Sequence, residues 1–426
     1  MSPEPAPSPS EDGTAAPFPA GVALPPAALT ELPPDMAFAV WQVLRSVTLW
    51  AGEPERRRAG MFDPDYMQEW ERRLLTAPFD PEARFPLAVV VGELAGPNPG
   101  AGRLSWACVC VADWALGRGA IRAALAFAEA AARATPEHPR YAWLVGRLMR
   151  RHGDPRGGER WLKRALKLAV AQRDWEAQAR ALTGLGNLCV ETGRYPEARE
   201  LHTRALRVSR RWRLREQEGM ALHDLFIIAT EEGNRAEAEL HARGALDAYG
   251  QSPRRLCKLA HDVAYWWMDD GYYQRALDVF EALLGHFPNP DDRMQVLGNI
   301  GRAAGGCGDR AAFDAAWRAS DDLDPLLGTR ETAATALLEL AYGAVSLGDW
   351  SLAAGIAQRA ADAARQRSEA TVLSRASDLL EAVQHPSRAP GLAMARAGSG
   401  AGSADRLAAA LVASLREPAG EAGALA

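Results

Sequence analysis

Two His-Asp dipeptides stand out among the residues of this 426-residue chain that could do chemistry. They are His223-Asp224 and His261-Asp262, which lie 38 residues apart. Two imidazoles and two carboxylates are sensible metal ligands, and a histidine beside a carboxylate also gives a pH-responsive cluster. Ordinary hydrogen bonding between two copies of a repeated segment explains the same pattern. We favour that interpretation, and we predict no metal and no cofactor.

A group of arginines near a tryptophan offers another kind of chemistry. Arg147, Arg150 and Arg151 lie within about one helical turn of each other and follow Trp143. Guanidinium groups next to an aromatic ring suit a carboxylate, a phosphate or a stacked base. A solvated basic face is the plainer alternative, and we favour it on the sequence alone.

Signatures of common enzymes are missing from the chain. It lacks G-x-S-x-G, H-E-x-x-H and the P-loop with its Lys-Ser/Thr. Its Gly-rich segments, Gly184-Leu185-Gly186 and residues 305–308, suit close helix packing or a turn better than a phosphate cradle. No nucleophile with a base and an orienting group can be assembled, so we predict that the protein is not an enzyme.

The elements that position these residues follow from a pattern that occurs seven times. A turn glycine recurs at spacings of 34, 40, 40, 38, 37 and 40 residues, and small residues follow it at regular distances. Such a glycine supplies the left-handed turn that ends one helix, and the small residues let two helices approach closely. The seven turn glycines are Gly119, Gly153, Gly193, Gly233, Gly271, Gly308 and Gly348.

This pattern resembles the tetratricopeptide repeat family, and its clearest copy runs from Leu182 to Leu206. The resemblance covers roughly residues 105–366, and the repeat lengths of 34–40 residues are similar to those of bacterial peptide-sensing and regulatory solenoids. It implies an all-α fold: a right-handed α-solenoid of about seven tetratricopeptide-like helix pairs with helical caps. In this family the first helix of each repeat lines the concave surface.

Transferring the family's inward-facing positions to this chain gives a candidate partner-binding surface. Asn187 and Asn299 stand where related solenoids use an amide to hold a peptide backbone, since an amide both donates and accepts. Capping or pairing within the array is the alternative for both. The candidates are Arg140, Trp143, Arg147, Arg150, Arg151, Arg180, Asn187, His223, Asp224, His261, Asp262, Tyr265, Asn299, Arg302 and Tyr342, and Asp269 and Glu339 occupy equivalent positions.

Charge and cysteine content restrict the partners and the compartment. The net charge is −5, but residues 140–216 hold 19 Lys/Arg against 8 Asp/Glu, and residues 217–300 hold 7 against 14. Solvated helix faces explain this asymmetry, and electrostatic steering of a charged partner is the functional alternative. The odd number of cysteines, five, and the absence of a long apolar run favour a cytoplasmic protein without membrane contact.

Composition divides the chain into four parts. We predict a disordered Pro/Ala-rich tail (1–34), an N-terminal helical cap (35–100), the repeat solenoid with a C-terminal capping helix (101–384) and a low-complexity tail (385–426). Within the last part, Leu407, Leu411 and Leu415 lie on one helical stripe. A short helix docked on the protein itself or on a partner is therefore the alternative to disorder.

These features predict a non-enzymatic scaffold that holds a segment of a protein or peptide partner in the repeat groove. The first alternative is a regulatory solenoid that responds to a peptide or another ligand. Nucleic-acid binding through residues 140–216 is the least favoured. A DNA-binding helix-turn-helix in residues 36–95 is also disfavoured, because 7 Arg and 9 acids have the wrong sign for gripping phosphate.

Overall fold

The computed structural model describes residues 31–32, 34–78, 80–250, 252–287, 289–323, 333–384 and 402–416. These residues form 20 helices and no strand, and the predicted all-α solenoid is confirmed. Contacts divide the chain into two compact units, Met1–Gly184 and Leu185–Ala426. Most of the predicted tail 1–34 and most of the tail 385–426 lie outside the described residues.

The first unit begins with four helices and continues with the first repeats. The leading helices are α1 (Pro34–Gly52), α2 (Glu55–Arg58), α3 (Pro64–Thr76) and α4 (Pro81–Ala95). The repeats begin with the pair α5 (Ala101–Gly117) and α6 (Ile121–Ala134), followed by α7 (Pro139–Arg151) and α8 (Pro155–Gln172), and then by α9 (Trp175–Glu191), in which the unit ends. Helix α3 packs on α4, α4 packs on α5, and α1 packs on α6.

The residues before α1 are tied to the first repeat. Glu31 accepts hydrogen bonds from the backbone N–H groups of Arg122 (2.9 Å) and Ala123 (3.3 Å). Its carboxylate therefore satisfies donors at the first turn of α6, where the helix dipole favours a negative charge. Leu32 is buried beside it. Both residues belong to the stretch that composition assigns to the tail, and tertiary contacts hold them on the repeats.

The second unit continues the repeats in the same order. Up to α18, each pair consists of an odd-numbered first helix followed by an even-numbered second helix. Helix α19 packs on α18, and α20 lies on α14, α12 and α13. The helices are α10 (Tyr195–Arg211), α11 (Arg215–Glu231), α12 (Arg235–Tyr249), α13 (Pro253–Asp269), α14 (Tyr273–Leu284), α15 (Pro290–Cys307), α16 (Arg310–Leu323), α17 (Ala333–Ser346), α18 (Trp350–Arg367), α19 (Ala370–Gln384) and α20 (Ser403–Arg416).

The seven turn glycines have the backbone conformation that the sequence predicts. Each lies in the left-handed region, with φ between 70° at Gly233 and 88° at Gly153. A side chain at such a φ clashes with the backbone, so glycine is the residue that ends the first helix without strain. The small residues that follow are buried in the contact between paired helices, for example Ala198 and Ala205 on α10.

Close contact between α15 and α17 explains the Gly-rich segment at the end of α15. A Cβ atom added to Gly305 would lie 2.2 Å from the carbonyl oxygen of Gly343, and one added to Gly298 would lie 2.6 Å from that of Ala336. Real Cβ atoms do not come this close to a carbonyl oxygen, so the two helices touch through their backbones. These glycines serve helix packing, as the sequence indicates.

We expect Gly305→Ala to lower the free energy of unfolding by about 1–3 kcal/mol, because the added methyl group must push α15 and α17 apart. Gly355→Ala is the matched control. Gly355 is exposed on α18 with no atom within 4 Å of an added Cβ, so alanine there should stabilise the helix by about 0.5–1 kcal/mol. Urea denaturation measures both, and equal effects would contradict the close packing.

Candidate functional site

An aromatic and basic surface lies on the first helices of the first unit. Helix α7 carries four arginines and no acidic residue. The Trp143 side chain is half-buried on this helix, and the guanidinium carbons of Arg147 and Arg180 each lie 5.5 Å from the centre of its ring system. Two cations against one indole form a strong cation–π arrangement. We call Trp143, Arg147 and Arg180 the Trp143 cluster.

The geometry of the Trp143 cluster is fixed by neighbouring groups. Arg180 on α9 donates from Nε (3.0 Å) and Nη2 (2.8 Å) to the carboxylate of Glu176, one turn earlier on the same helix. The indole also lies beside Gly184, where an added Cβ atom would be 3.6 Å from its Nε1, an ordinary contact distance. Within this unit, Arg180 is thus held in place beside the ring.

The other arginines of α7 are placed differently from the Trp143 cluster. Arg140, at the start of the helix, and Arg151, at its end, are exposed, and Arg150 is half-buried. The sequence grouped Arg147, Arg150 and Arg151 with Trp143. The structure brings Arg147 and Arg180 to the ring instead, because two first helices pack side by side.

A chain of hydrogen bonds connects three consecutive repeats of the second unit. His223 Nε2 lies 3.0 Å from Asp262 Oδ2, and His261 Nδ1 lies 3.1 Å from Asp262 Oδ1. At the two ends, Tyr249 Oη lies 3.4 Å from His223 Nδ1, and Asn299 Nδ2 lies 3.1 Å from His261 Nε2. We call Tyr249, His223, Asp262, His261 and Asn299 the histidine chain.

One assignment of protons satisfies every bond of the histidine chain. His223 donates through Nε2 and His261 through Nδ1 to Asp262, and the remaining ring nitrogens accept from the Tyr249 hydroxyl and the Asn299 amide. Burial by itself would raise the pKa of Asp262, but the hydrogen bonds from His223 and His261 outweigh it and hold that pKa well below its ordinary value. The Asp262 carboxylate thus accepts a hydrogen bond from each of the two imidazoles.

The two His-Asp dipeptides do not form a metal site in the described part of the chain. No group of three or more His, Cys, Asp or Glu side chains there is arranged to hold a metal ion. The dipeptides do meet across neighbouring repeats, but only His223, His261 and Asp262 share bonds. Asp224 points to another histidine, with Oδ2 3.5 Å from Nδ1 of His202.

His202, a residue that the sequence did not single out, is fully buried on the second helix α10. Neither ring nitrogen has a hydrogen-bond partner among the described residues. Burial lowers the pKa of His202, and the nearby Asp224 carboxylate opposes this shift. The ring packs on Gly186, where an added Cβ would fall 2.4 Å from Nε2. A polar residue on an apolar packing stripe was the signal that could have identified it.

A second polar cluster lies farther along the first helices. Arg302 Nη1 donates to Glu339 Oε2 (2.7 Å), and its Nη2 donates to Asp269 Oδ1 (2.9 Å). Arg302 and Arg375 lie 5.6 Å and 5.4 Å from the ring centre of Tyr342. Arg302, Asp269, Glu339, Tyr342 and Arg375 form what we call the Arg302 cluster.

Charge is balanced inside the Arg302 cluster. Glu339 is 1% exposed and Arg302 is 8% exposed, so the charge of each is compensated mainly by the other side chain and little by water. Burial would lower the pKa of Arg302, but Glu339 and Asp269 together raise it above the ordinary value. Burial, followed by the charge of Glu339, raises the pKa of Tyr265 to about 12. The sequence identified four of these groups but missed Arg375, which comes from the capping helix α19.

The two candidate asparagines differ in their surroundings. Asn299 is 2% exposed and its amide is engaged by His261. Asn187 is half-buried, and its amide makes no hydrogen bond to another described residue. Of the two, Asn187 is the one whose amide is available to a peptide backbone.

Ion pairs between repeats connect some of the charged residues of the second unit. Arg199 on α10 binds Glu237 (2.5 Å) and Glu232, while Arg255 binds Glu216 (3.0 Å) across repeats. Basic residues of the third repeat thus face acidic residues of the fourth. The asymmetry that the sequence shows is partly an internal contact.

Comparison with known proteins identifies the repeats. Residues 139–211 match the model of the tetratricopeptide repeat family, and the resemblance drawn from the turn glycines is confirmed. No curated protein matches the chain. No helix in the described part of the chain combines the length and the apolar character that a membrane crossing requires.

Several solved structures are similar to this chain. A STAND signal-transduction ATPase with a tetratricopeptide repeat sensor from Pyrococcus horikoshii is 12% identical, with a TM-score of 0.50, over 85% of this chain and 62% of that one. A Rap protein complexed with competence and sporulation factor is 12% identical, with a TM-score of 0.45, over 79% of this chain and 99% of that one. The apo form of the quorum sensor NprR from B. thuringiensis is 17% identical, with a TM-score of 0.44, over 58% of this chain and 70% of that one.

We expect Asp262→Asn to lower the free energy of unfolding at neutral pH by about 1–3 kcal/mol, because it removes the charge that accepts two part-buried hydrogen bonds. Asp224→Asn is the matched control from the other dipeptide. Its carboxylate makes only the 3.5 Å contact with His202, so its effect should stay below about 1 kcal/mol. Urea denaturation measures both variants. Zinc-dependent stabilisation of the wild type that Asp262→Asn abolishes would instead indicate a metal site.

The wild-type protein should lose stability as the pH falls below about 6.5. The pKa of His202 is lowered in the folded state, so the unfolded chain takes up a proton there that the folded chain refuses. His202→Leu removes this term, and Leu162, which packs on Gly146 in the preceding repeat, shows that leucine fits such a position. The stability of His202→Leu relative to the wild type should therefore rise as the pH falls from about 7 to 5. A difference that does not change with pH would contradict a neutral, buried His202.

Proposed function

From the tetratricopeptide repeats at residues 139–211, we propose that this protein is a non-enzymatic scaffold that binds a segment of a protein partner. The observation that carries the proposal is the Trp143 cluster, an indole with two guanidinium groups close to its ring on the first helices α7 and α9. Repeat scaffolds bind through extended surfaces made of equivalent positions on successive repeats. The cluster combines residues from the first helices of two successive repeats.

The chemistry of this surface favours an acidic partner segment. Helix α7 carries four arginines without an acid, two of them fully exposed. Arginine forms bidentate hydrogen bonds with carboxylates, and tryptophan and arginine dominate the binding energy of many interfaces. A segment with Asp or Glu side chains next to an apolar or aromatic residue would use both parts of the surface.

In the second unit we assign the candidate residues two kinds of role. Asn187, with its unbonded amide, is proposed to contact the backbone of a partner. Asn299, Arg302, His223 and His261 are proposed as positioning residues, because their polar atoms are engaged by each other and by neighbouring first helices. Tyr342, a member of the Arg302 cluster, and Tyr265, whose hydroxyl lies 3.4 Å from Glu339, are assigned the same role.

The alternatives receive less support from the geometry. Nucleic-acid binding would need the basic stretch 140–216 to face phosphate, yet Arg199 and Arg210 in it pair with acidic groups of the fourth repeat. We also propose a reducing, cytoplasmic location, since all five cysteines are free thiols. A regulatory solenoid that responds to a ligand is compatible with the histidine chain, which couples three repeats.

We expect Trp143→Ala, and separately the double variant Arg147→Ala/Arg180→Ala, to weaken partner binding at least tenfold, which is about 1.4 kcal/mol. The measurement is affinity capture from host lysate followed by mass spectrometry, and then titration of the captured protein. Circular dichroism verifies that each variant is folded.

Trp212→Ala is the matched control for this experiment. Trp212 also lies close to a guanidinium, that of Arg211 at 5.8 Å, but it stands at the end of α10 in the other unit. Its loss should leave capture unchanged. A partner retained equally by all variants would reject the Trp143 cluster as the binding surface, and recovery of nucleic acid, released by added salt, would favour the alternative.

A further inference from the structure

Helix α20 is docked on the second helices of two repeats in the middle of the second unit. It packs mainly on α14 and also contacts α12 and α13. Helix α19, which precedes it in the sequence, packs on α18 and α17 instead. The residues 385–402 connect the two, so the chain returns past two repeats to place α20. We call the surface that α20 covers the α14 face.

An apolar stripe holds α20 on the α14 face. Leu407, Leu411 and Leu415 are at most 3% exposed. Val279 on α14 is fully buried, whereas its equivalent on α10, Leu201, is only half-buried. An isolated helix of 14 residues is marginal in water, so the surface that buries the leucines also stabilises the helix.

Polar groups on the α14 face recognise both ends of α20. At the N-terminal end, Arg275 Nε donates to Asp405 Oδ1 (2.5 Å) and Arg243 donates to the carbonyl oxygen of Ser403. The Ser403 hydroxyl in turn donates to Glu239 Oε2 (2.5 Å). At the C-terminal end, His286 Nε2 donates to the carbonyl oxygen of Leu415 (2.7 Å). The face is therefore specific for the direction and the length of the bound helix.

The fit of α20 leaves space. A cleft of about 440 Å³ remains between α14 and α20. On the α14 side it is lined by Arg275, Asp278 and Glu281, and on the α20 side the small residue Ala409 stands at its edge. Three carboxylates line the cleft (Asp278, Glu281 and Asp405) against two guanidinium groups (Arg275 and Arg416), so its charge favours a cation. A helix with a longer, positively charged side chain in place of Ala409 would fill the cleft.

We propose that the α14 face is a second partner-binding surface, which accepts an amphipathic helix from another protein in place of α20. The partner helix carries a hydroxyl or carboxylate side chain in its first turn, leucine at every fourth position and a basic residue at the place of Ala409. Tethering through residues 385–402 keeps α20 at a high local concentration, so the face stays occupied until a better-fitting helix displaces it. This surface is separate from the Trp143 cluster, and the two can be tested independently.

The probe for the test is a fluorescein-labelled peptide of residues 402–416, added to the full-length protein and followed by fluorescence anisotropy. In the variant Leu407→Asp/Leu411→Asp the protein's own helix cannot dock, so the peptide should bind at least tenfold more tightly than to the wild type. A peptide with Ala409→Arg should bind more tightly than the wild-type peptide to both proteins, because it fills the cleft.

A charge reversal tests whether the peptide binds at the α14 face. Adding Arg275→Glu to the double variant should weaken binding of the wild-type peptide at least tenfold. A peptide with Asp405→Arg should recover the loss, because the ion pair is restored in the opposite sense. Arg318→Glu on α16 is the control for the added negative charge and should leave binding unchanged.

The proposal is overturned by any of three results. These are no binding to the folded double variant, equal binding to the variant and the wild type, or binding that does not respond to Arg275→Glu. Should the double variant fail to fold, Asp405→Arg in the full-length chain replaces it, because this change weakens docking and keeps the leucines. The wild-type peptide should then bind this variant more tightly than it binds the wild-type protein. A wild-type dimer in light scattering that the double variant lacks would assign the face to a second copy of the chain.

Discussion

The left-handed turn that joins the two helices of each pair is the constraint on which the other contacts depend. All seven turn glycines have φ between 70° and 88°, a region that other residues reach only at a cost. Because each pair turns in the same way, equivalent positions on neighbouring first helices come to lie side by side. That register brings His223 to Asp262, 39 positions along the chain, and Arg302 to Glu339, 37 positions along.

Neighbouring repeats bury polar side chains of these first helices, so the hydrogen bonds of these side chains must come from other residues of the protein. The histidine chain achieves this with two imidazoles that bond to one carboxylate, and the Arg302 cluster does so with two arginines and two acids. Breaking such groups is costly, since an unpaired buried charge loses its solvation without compensation. The first-helix face of the second unit is therefore largely occupied by its own polar groups, whereas the Trp143 cluster in the first unit stays partly exposed. On the proposed function, this difference separates residues that position the repeats from those suited to a partner.

Long-range contacts also decide how the charges and the C-terminal helix are used. Arg199 and Arg255 form ion pairs between the third, fourth and fifth repeats, which a count of charges along the chain cannot reveal. Helix α20 uses Arg275 and His286 of the fifth repeat, 130 and 129 positions away from its own residues. Its leucine stripe was visible in the sequence, but the choice between docking on the protein, docking on a partner and disorder depends on a matching surface. That surface exists only once α12 and α14 are packed.

The sequence by itself determined the fold, because the period of glycine and small residues follows from local requirements: a left-handed turn, a helix start and close helix packing. It also identified the two His-Asp dipeptides, Trp143 and its arginines, since these are unusual residue types at repeated positions. It could not decide which of them bond to each other. Arg180 rather than Arg151 reaches Trp143, Asp224 turns to His202, and Arg375 enters from the capping helix. Only the tertiary structure decided these pairings, because side-chain direction and the packing of neighbouring repeats determine which polar atoms meet and which are left for a partner.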